Sequence, residues 1–131
     1  MAQFAIEIIL LRQWAAHMAI PIWIADEDGR LAYYNEPAER LLGRTFAEAQ
    51  QMPFQELSQM FHTTTLEDKP IPPEELPLGV ALRERRPCHK RLKITALNEV
   101  PRVLDISAFP LTAQGGSHLG AVAMFWEGEE E

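Results

Sequence analysis

Residues 21–43, PIWIADEDGRLAYYNEPAERLLG, decide how the rest of the chain is read. Two runs rich in β-branched and aromatic residues, 22–25 and 31–34, flank Asp28-Gly29, a pair suited to the positive φ angles of a tight hairpin. Asn35 then stands where a helix needs its N-cap, with a side-chain carbonyl that can accept from the free N–H groups of the first turn. Pro37 falls in that first turn, where a missing N–H does no harm, and Gly43 can take the left-handed position just past the helix end. The stretch therefore predicts a hairpin that runs directly into a short helix.

Upstream, Phe4, Ile8, Leu11, Ala15 and Met18 recur at steps of four and three and form one stripe of a helix. Ile6, Leu10 and Trp14 lie four apart on a second face. This is more apolar surface than one contact with its own domain requires. One reading packs the helix on a sheet. The other adds a homodimer, with the stripe Phe4, Ile8, Leu11, Ala15 and Met18 as its seam. The run has no basic start, carries Glu7 and reaches Arg12 early, so it falls short of the roughly 20 apolar residues of a membrane span. A soluble, cytoplasmic protein is the expectation.

Downstream, Thr45 and Glu48 have the spacing of a capping box and predict a helix from Phe46 that Pro53 interrupts. Phe54, Leu57, Met60 and Phe61 sit at helical spacing and suggest a third short helix. Residues 62–72 show no periodicity and read as loop. Residues 73–86 predict a longer helix, with a leading turn before a regular start near Leu76 or Pro77 and a stop at Pro87. Three strands follow at 88–95, 102–109 and 119–126, joined in the last case through Gly115-Gly116. The third is apolar on both faces, which suits a central strand. Strands divided by a block of helices predict an α+β architecture with an antiparallel sheet. The expected division is an N-terminal amphipathic helix over 1–19, a domain over 20–127 and an acidic tail over 128–131.

The chain has 131 residues, 47% hydrophobic and 24% charged, enough to bury the core of one domain. A net charge of -7 repels phosphates and argues against nucleic acid or an anionic membrane as partner. The single cysteine, Cys88, has no internal disulfide partner, in keeping with a reducing compartment.

Catalytic constellations are missing from the pattern. His17, His62, His89 and His118 are scattered, without the spacing of a zinc site. Cys88 and His89 are neighbours on a strand and so point to opposite faces, which separates a nucleophile from its base. No phosphate loop or nucleophile elbow occurs. Half of the 12 Lys and Arg residues lie within RERRPCHKRLK, residues 83–93, where a helix C-terminus and the outward side of a strand account for them. The chain reads as a non-enzyme without metal.

The segments ADEDGRLAYYN and EPAERLLG, together with LDISAFPL and LGAVAMFWE near the end, resemble the PAS domain family over about residues 20–127. The resemblance implies a five-stranded antiparallel sheet with short helices on one face, preceded here by the N-terminal helix. It also implies a cavity between sheet and helices, in which family members hold haem, flavin, small metabolites, fatty acids or nothing. The helix after Asn35 lacks the reactive cysteine of flavin-adduct members, and residues 73–86 lack the histidine of haem-binding ones; only His62 lies nearby. What remains is a small apolar ligand or a closed core. By periodicity its lining would be Ile24, Phe54, Leu57, Met60, Phe61, Leu82, Leu104, Ile106 and Met124, joined by Trp23 or Tyr33 if the strand phase is opposite. The implied function is a sensory or protein-interaction module in signal transduction. It would bind a small apolar ligand or a protein partner and act as a homodimer, passing its signal to a partner in trans or to an effector domain of a larger chain. The alternative is a small α+β enzyme or carrier using the concave sheet, with Asp26, Asp105 and Tyr33 as its polar groups.

Overall fold

The computed structural model describes residues 6–49, 52–53, 56, 62–95 and 101–127. Helix α1 (Ile6–Ala16) leads into β1 (Ile22–Asp26) and β2 (Leu31–Tyr34). Helices α2 (Glu36–Leu42) and α3 (Phe46–Ala49) follow, then a short strand β3 (Thr63–Thr64), a 3-10 turn (Pro73–Glu75) and α4 (Pro77–Glu84). Strands β4 (Cys88–Thr95), β5 (Pro101–Thr112) and β6 (His118–Glu127) complete the sheet. The strands lie in the order β2-β1-β6-β5-β4-β3, every neighbouring pair antiparallel.

The sheet has six strands where the sequence predicted five. The sixth is β3, within the segment read as loop: Thr63 pairs with Ile94 and Thr64 with Lys93. Two residues are too few for alternation to register. Beyond β3 the chain turns back so that Pro70 bridges to Thr64; in that turn the Thr65 N–H donates to the Lys69 carbonyl and Asp68 takes φ 65°.

The opening unit forms as its residues dictate, with one correction. Only Gly29 of the Asp28-Gly29 pair has positive φ, at 79°. The link is a three-residue loop in which the Asp26 N–H donates to the Arg30 carbonyl and Asp26 Oδ1 accepts from the Asp28 and Arg30 N–H groups. Asn35 caps α2 through the Ala38 N–H, and Gly43 ends it at φ 76°. The Thr45–Glu48 capping box opens α3, each residue's side chain accepting from the other's backbone N–H.

α4 begins at Pro77 behind its 3-10 turn, as the leading-turn reading expects. Gly79 has a packing reason for standing inside a helix: a Cβ there would lie 2.1 Å from the Pro73 carbonyl oxygen. β6 is central between β1 and β5, also as expected. Its Gly120 lies so close to β1 that a Cβ would sit 2.0 Å from the Ala25 carbonyl oxygen.

Two layers cover the sheet. On the inner face, α2, α3 and α4 contribute Leu41, Leu42, Ala49, Leu78 and Ala81 to a core shared with Trp23, Leu92, Leu104 and Phe125. On the outer face α1 packs Ile8 and Ala15 against Ile22, Ile24, Ala32 and Val122. The chain of β2 changes phase at Ala32, the extra residue of a bulge: Leu31 pairs with Ala25, while Tyr33 and Tyr34 pair with Ile24 and Trp23.

Candidate functional site

Two regions carry the residues singled out in the sequence: the inner face between sheet and helices, and the outer face under α1. On the inner face the sheet brings Trp23, Leu104 and Ile106 together, and Leu82 of α4 packs against the same cluster. The Trp23 ring stands 5.9 Å from Tyr34, edge to face, and 6.4 Å from Phe125, stacked. These three rings are nearly inaccessible to solvent, and with their aliphatic neighbours they build a close-packed floor. Ile24, Tyr33 and Met124 are not part of it. They belong to the outer cluster, because residues paired across antiparallel strands share a face and Ile24 pairs with Tyr33 while Met124 pairs with Ile22. The bulge at Ala32 thus parts Trp23 from Tyr33. β6 turns Phe125 rather than Met124 inward; being apolar on both sides, that strand gave no phase. Phe54, Leu57, Met60 and Phe61 lie outside the described residues.

Tyr34 closes one end of the inner layer. Its hydroxyl donates to the Arg44 carbonyl at 2.7 Å, with the Thr45 carbonyl at 3.1 Å. Burial, reinforced by the carboxylate of Glu39, pushes its pKa up to about 12. A cleft of about 330 Å³ opens between the β1–β2 loop and α4, lined by Glu27, Asp28, Pro53, Glu74, Leu82 and Arg83 among others.

On the outer face, Asn35 does more than cap a helix. Its side chain is wholly buried and makes four bonds: Oδ1 accepts from the Ile22 and Ala38 N–H groups at 3.0 and 3.2 Å, and Nδ2 donates to the Ala15 and Ile20 carbonyls, both at 2.9 Å. One side chain therefore joins the end of α1, the start of β1 and the first turn of α2. The sequence signalled only the cap. A second link passes around the β2 edge of the sheet, where the Arg12 guanidinium lies over Tyr33 and Phe46, 5.2 and 5.9 Å from the ring centroids.

The stripe predicted as a pairing seam is the one that holds α1 to its own sheet. Ile8 and Ala15 are buried there, with Leu11 and Met18 packed beside them; Phe4 lies outside the described residues. The other stripe faces outward: Ile6, Leu10 and Trp14 are 68%, 57% and 43% exposed, and Ile9 is exposed with them. A groove of about 320 Å³ runs beside it, lined by Ile9, Arg12, Gln13, Ala16 and Tyr33.

The polar groups named for an enzyme do not converge. Asp26 is engaged in its turn. Asp105 accepts two bonds from Arg91 at an exposed site, which lowers its pKa, and Tyr33 lies on the outer side. His62 is exposed; Cys88 is buried, and His89 faces out to Ser107. Among the described residues no three His, Cys, Asp or Glu side chains gather as metal ligands, and no helix is long and apolar enough to cross a membrane. Within residues 83–93, Arg86 pairs with Glu84, Arg91 with Asp105 and Lys93 with Asp68.

Comparison with known proteins agrees with this architecture. A family model described as a PAS domain matches residues 19–126. No curated protein matches the chain. Among solved structures, the PAS domain of Bordetella pertussis BvgS is similar with a TM-score of 0.66 at 15% identity, over 95% of this chain and 87% of that one. The PAS domain of nitrogen regulation protein NR(II) from Vibrio parahaemolyticus gives 0.62 at 19% identity, over 90% and 97%. The Rhodobacter sphaeroides LOV protein gives 0.70 at 13% identity, over 92% and 66%. At these identities the structures speak for the fold alone; the family model, matching most of the length, goes further. The chain belongs to the PAS domain family, the sensory modules of signal transduction.

Proposed function

We propose that this PAS domain works as a protein-interaction module, pairing with a second copy of itself through the outward stripe of α1. The observation that carries the reading is the division of labour on that helix. Ile8 and Ala15 anchor it to the sheet, while Ile6, Ile9, Leu10 and Trp14 leave a contiguous apolar stripe in solvent. A stripe on a helix already fixed to its domain gains by meeting its own twin, since a two-fold axis buries the same patch on both chains. Signalling then consists of changing how the two copies sit, with the consequence passed to a partner or to a further domain.

The packing of Trp23, Tyr34 and Phe125 supports an interior that serves as core rather than as a ligand chamber. The separation of Asp26, Asp105 and Tyr33 weighs against an enzyme or carrier built on the concave sheet. Native mass spectrometry of the gently purified protein tests the proposal. The expected species has twice the chain mass of 14.9 kDa and no additional mass. A monomer carrying a retained small molecule would replace it with the ligand-sensing reading.

A further inference from the structure

We infer that Asn35 is a positioning residue that couples the inner helical layer to α1, so that a displacement of α2 is transmitted to the outward stripe; its relevance to pairing rests on the function proposed above. The two layers lie on opposite faces of the sheet, and most of the sheet separates them. Asn35 spans the gap because it stands at the junction of β2 and α2. Its carboxamide satisfies partners on both sides at once: Oδ1 takes the Ala38 N–H of α2 and the Ile22 N–H of β1, and Nδ2 holds the Ala15 carbonyl of α1 and the Ile20 carbonyl of the connector.

An amide is the side chain this arrangement requires. It offers two donors and an acceptor in one plane, whereas Asp has no donor at neutral pH and Ser is too short to reach across. Because the group is wholly buried, each bond lost leaves a desolvated partner behind. A shift of α2 that draws Oδ1 away must rotate the carboxamide, and with it the anchors of α1. Arg12 over Phe46 provides a second contact between layers, but at an edge that borders an open groove.

The test is a double-mutant cycle read by amide hydrogen exchange in the full chain. Leu41→Ala loosens α2 from the inner core, where Leu41 is buried. Asn35→Asp keeps the cap acceptor and removes the donors to α1. With Asn35 present, Leu41→Ala should speed exchange of the α1 amides about tenfold; in the Asn35→Asp background it should add nothing to the exchange already raised by that change. Equal effects of Leu41→Ala in both backgrounds would overturn the coupling, as would Asn35→Asp raising exchange uniformly through β5 and β6. If Asn35→Asp does not fold, Leu41→Ala alone decides: α1 amides unchanged while α2 amides speed up would refute the inference. Sedimentation of the same proteins separates the two ideas. Coupled exchange in a protein that is monomeric throughout upholds the role of Asn35 and removes the proposed pairing.

Discussion

Tyr34 and Gly120 show how much a single residue fixes in this fold. The Tyr34 hydroxyl is protonated to about pH 12 in the folded protein, while a tyrosine in the unfolded chain ionises near its ordinary value of 10.0. The stabilisation is therefore fully present below pH 10 and is lost as pH rises toward 12. A Tyr34→Phe variant should be less stable than the parent at neutral pH and should lose stability less steeply in this alkaline range. Urea denaturation at several pH values reads both effects, and parallel slopes would refute the assignment. Gly120 has φ 134° and no room for a methyl group beside Ala25. Gly120→Ala should cost at least about 1–3 kcal/mol, seen as a lower denaturation midpoint. The Asn35 cap was legible because capping depends on neighbours in sequence. Its bonds to Ala15 and Ile20 were not, because they join residues that only the tertiary fold brings together.

At the scale of elements, short-range signals served well and phase did not. The Thr45–Glu48 box, the Gly43 stop, the Pro77 start and the central place of β6 all stand as read from local chemistry. The side of the sheet on which Tyr33 and Met124 fall depends on a bulge at Ala32 and on the phase of a strand apolar on both faces, which one sequence does not reveal. β3 escaped notice for the same reason of brevity. The two apolar stripes of α1 were visible, but which of them meets the sheet was not. That outcome changes the expectation for truncation. Deleting residues 1–19 uncovers Ile22, Ile24 and Val122, each worth about 1.5–3 kcal/mol when buried. The truncated chain should denature at markedly lower urea concentration, and an unchanged midpoint would mean that α1 is not part of the core.

For the whole molecule, the PAS domain has an inner side carrying α2, α3 and α4 and an outer side on which α1 packs over β1, β2 and β6. The net charge of -7 provides no attraction between copies, so the proposed pair would be held by apolar contact. The measurement that bears most directly on this account is sedimentation velocity over a concentration series, comparing the parent chain with a Leu10→Glu/Trp14→Glu variant. Both substituted positions are exposed in the single chain, so the variant should fold as the parent does, with an unchanged circular dichroism spectrum. The account predicts a dimer for the parent and a monomer for the variant at the same concentrations. A parent that stays monomeric, or a variant that pairs as tightly as the parent, would contradict it.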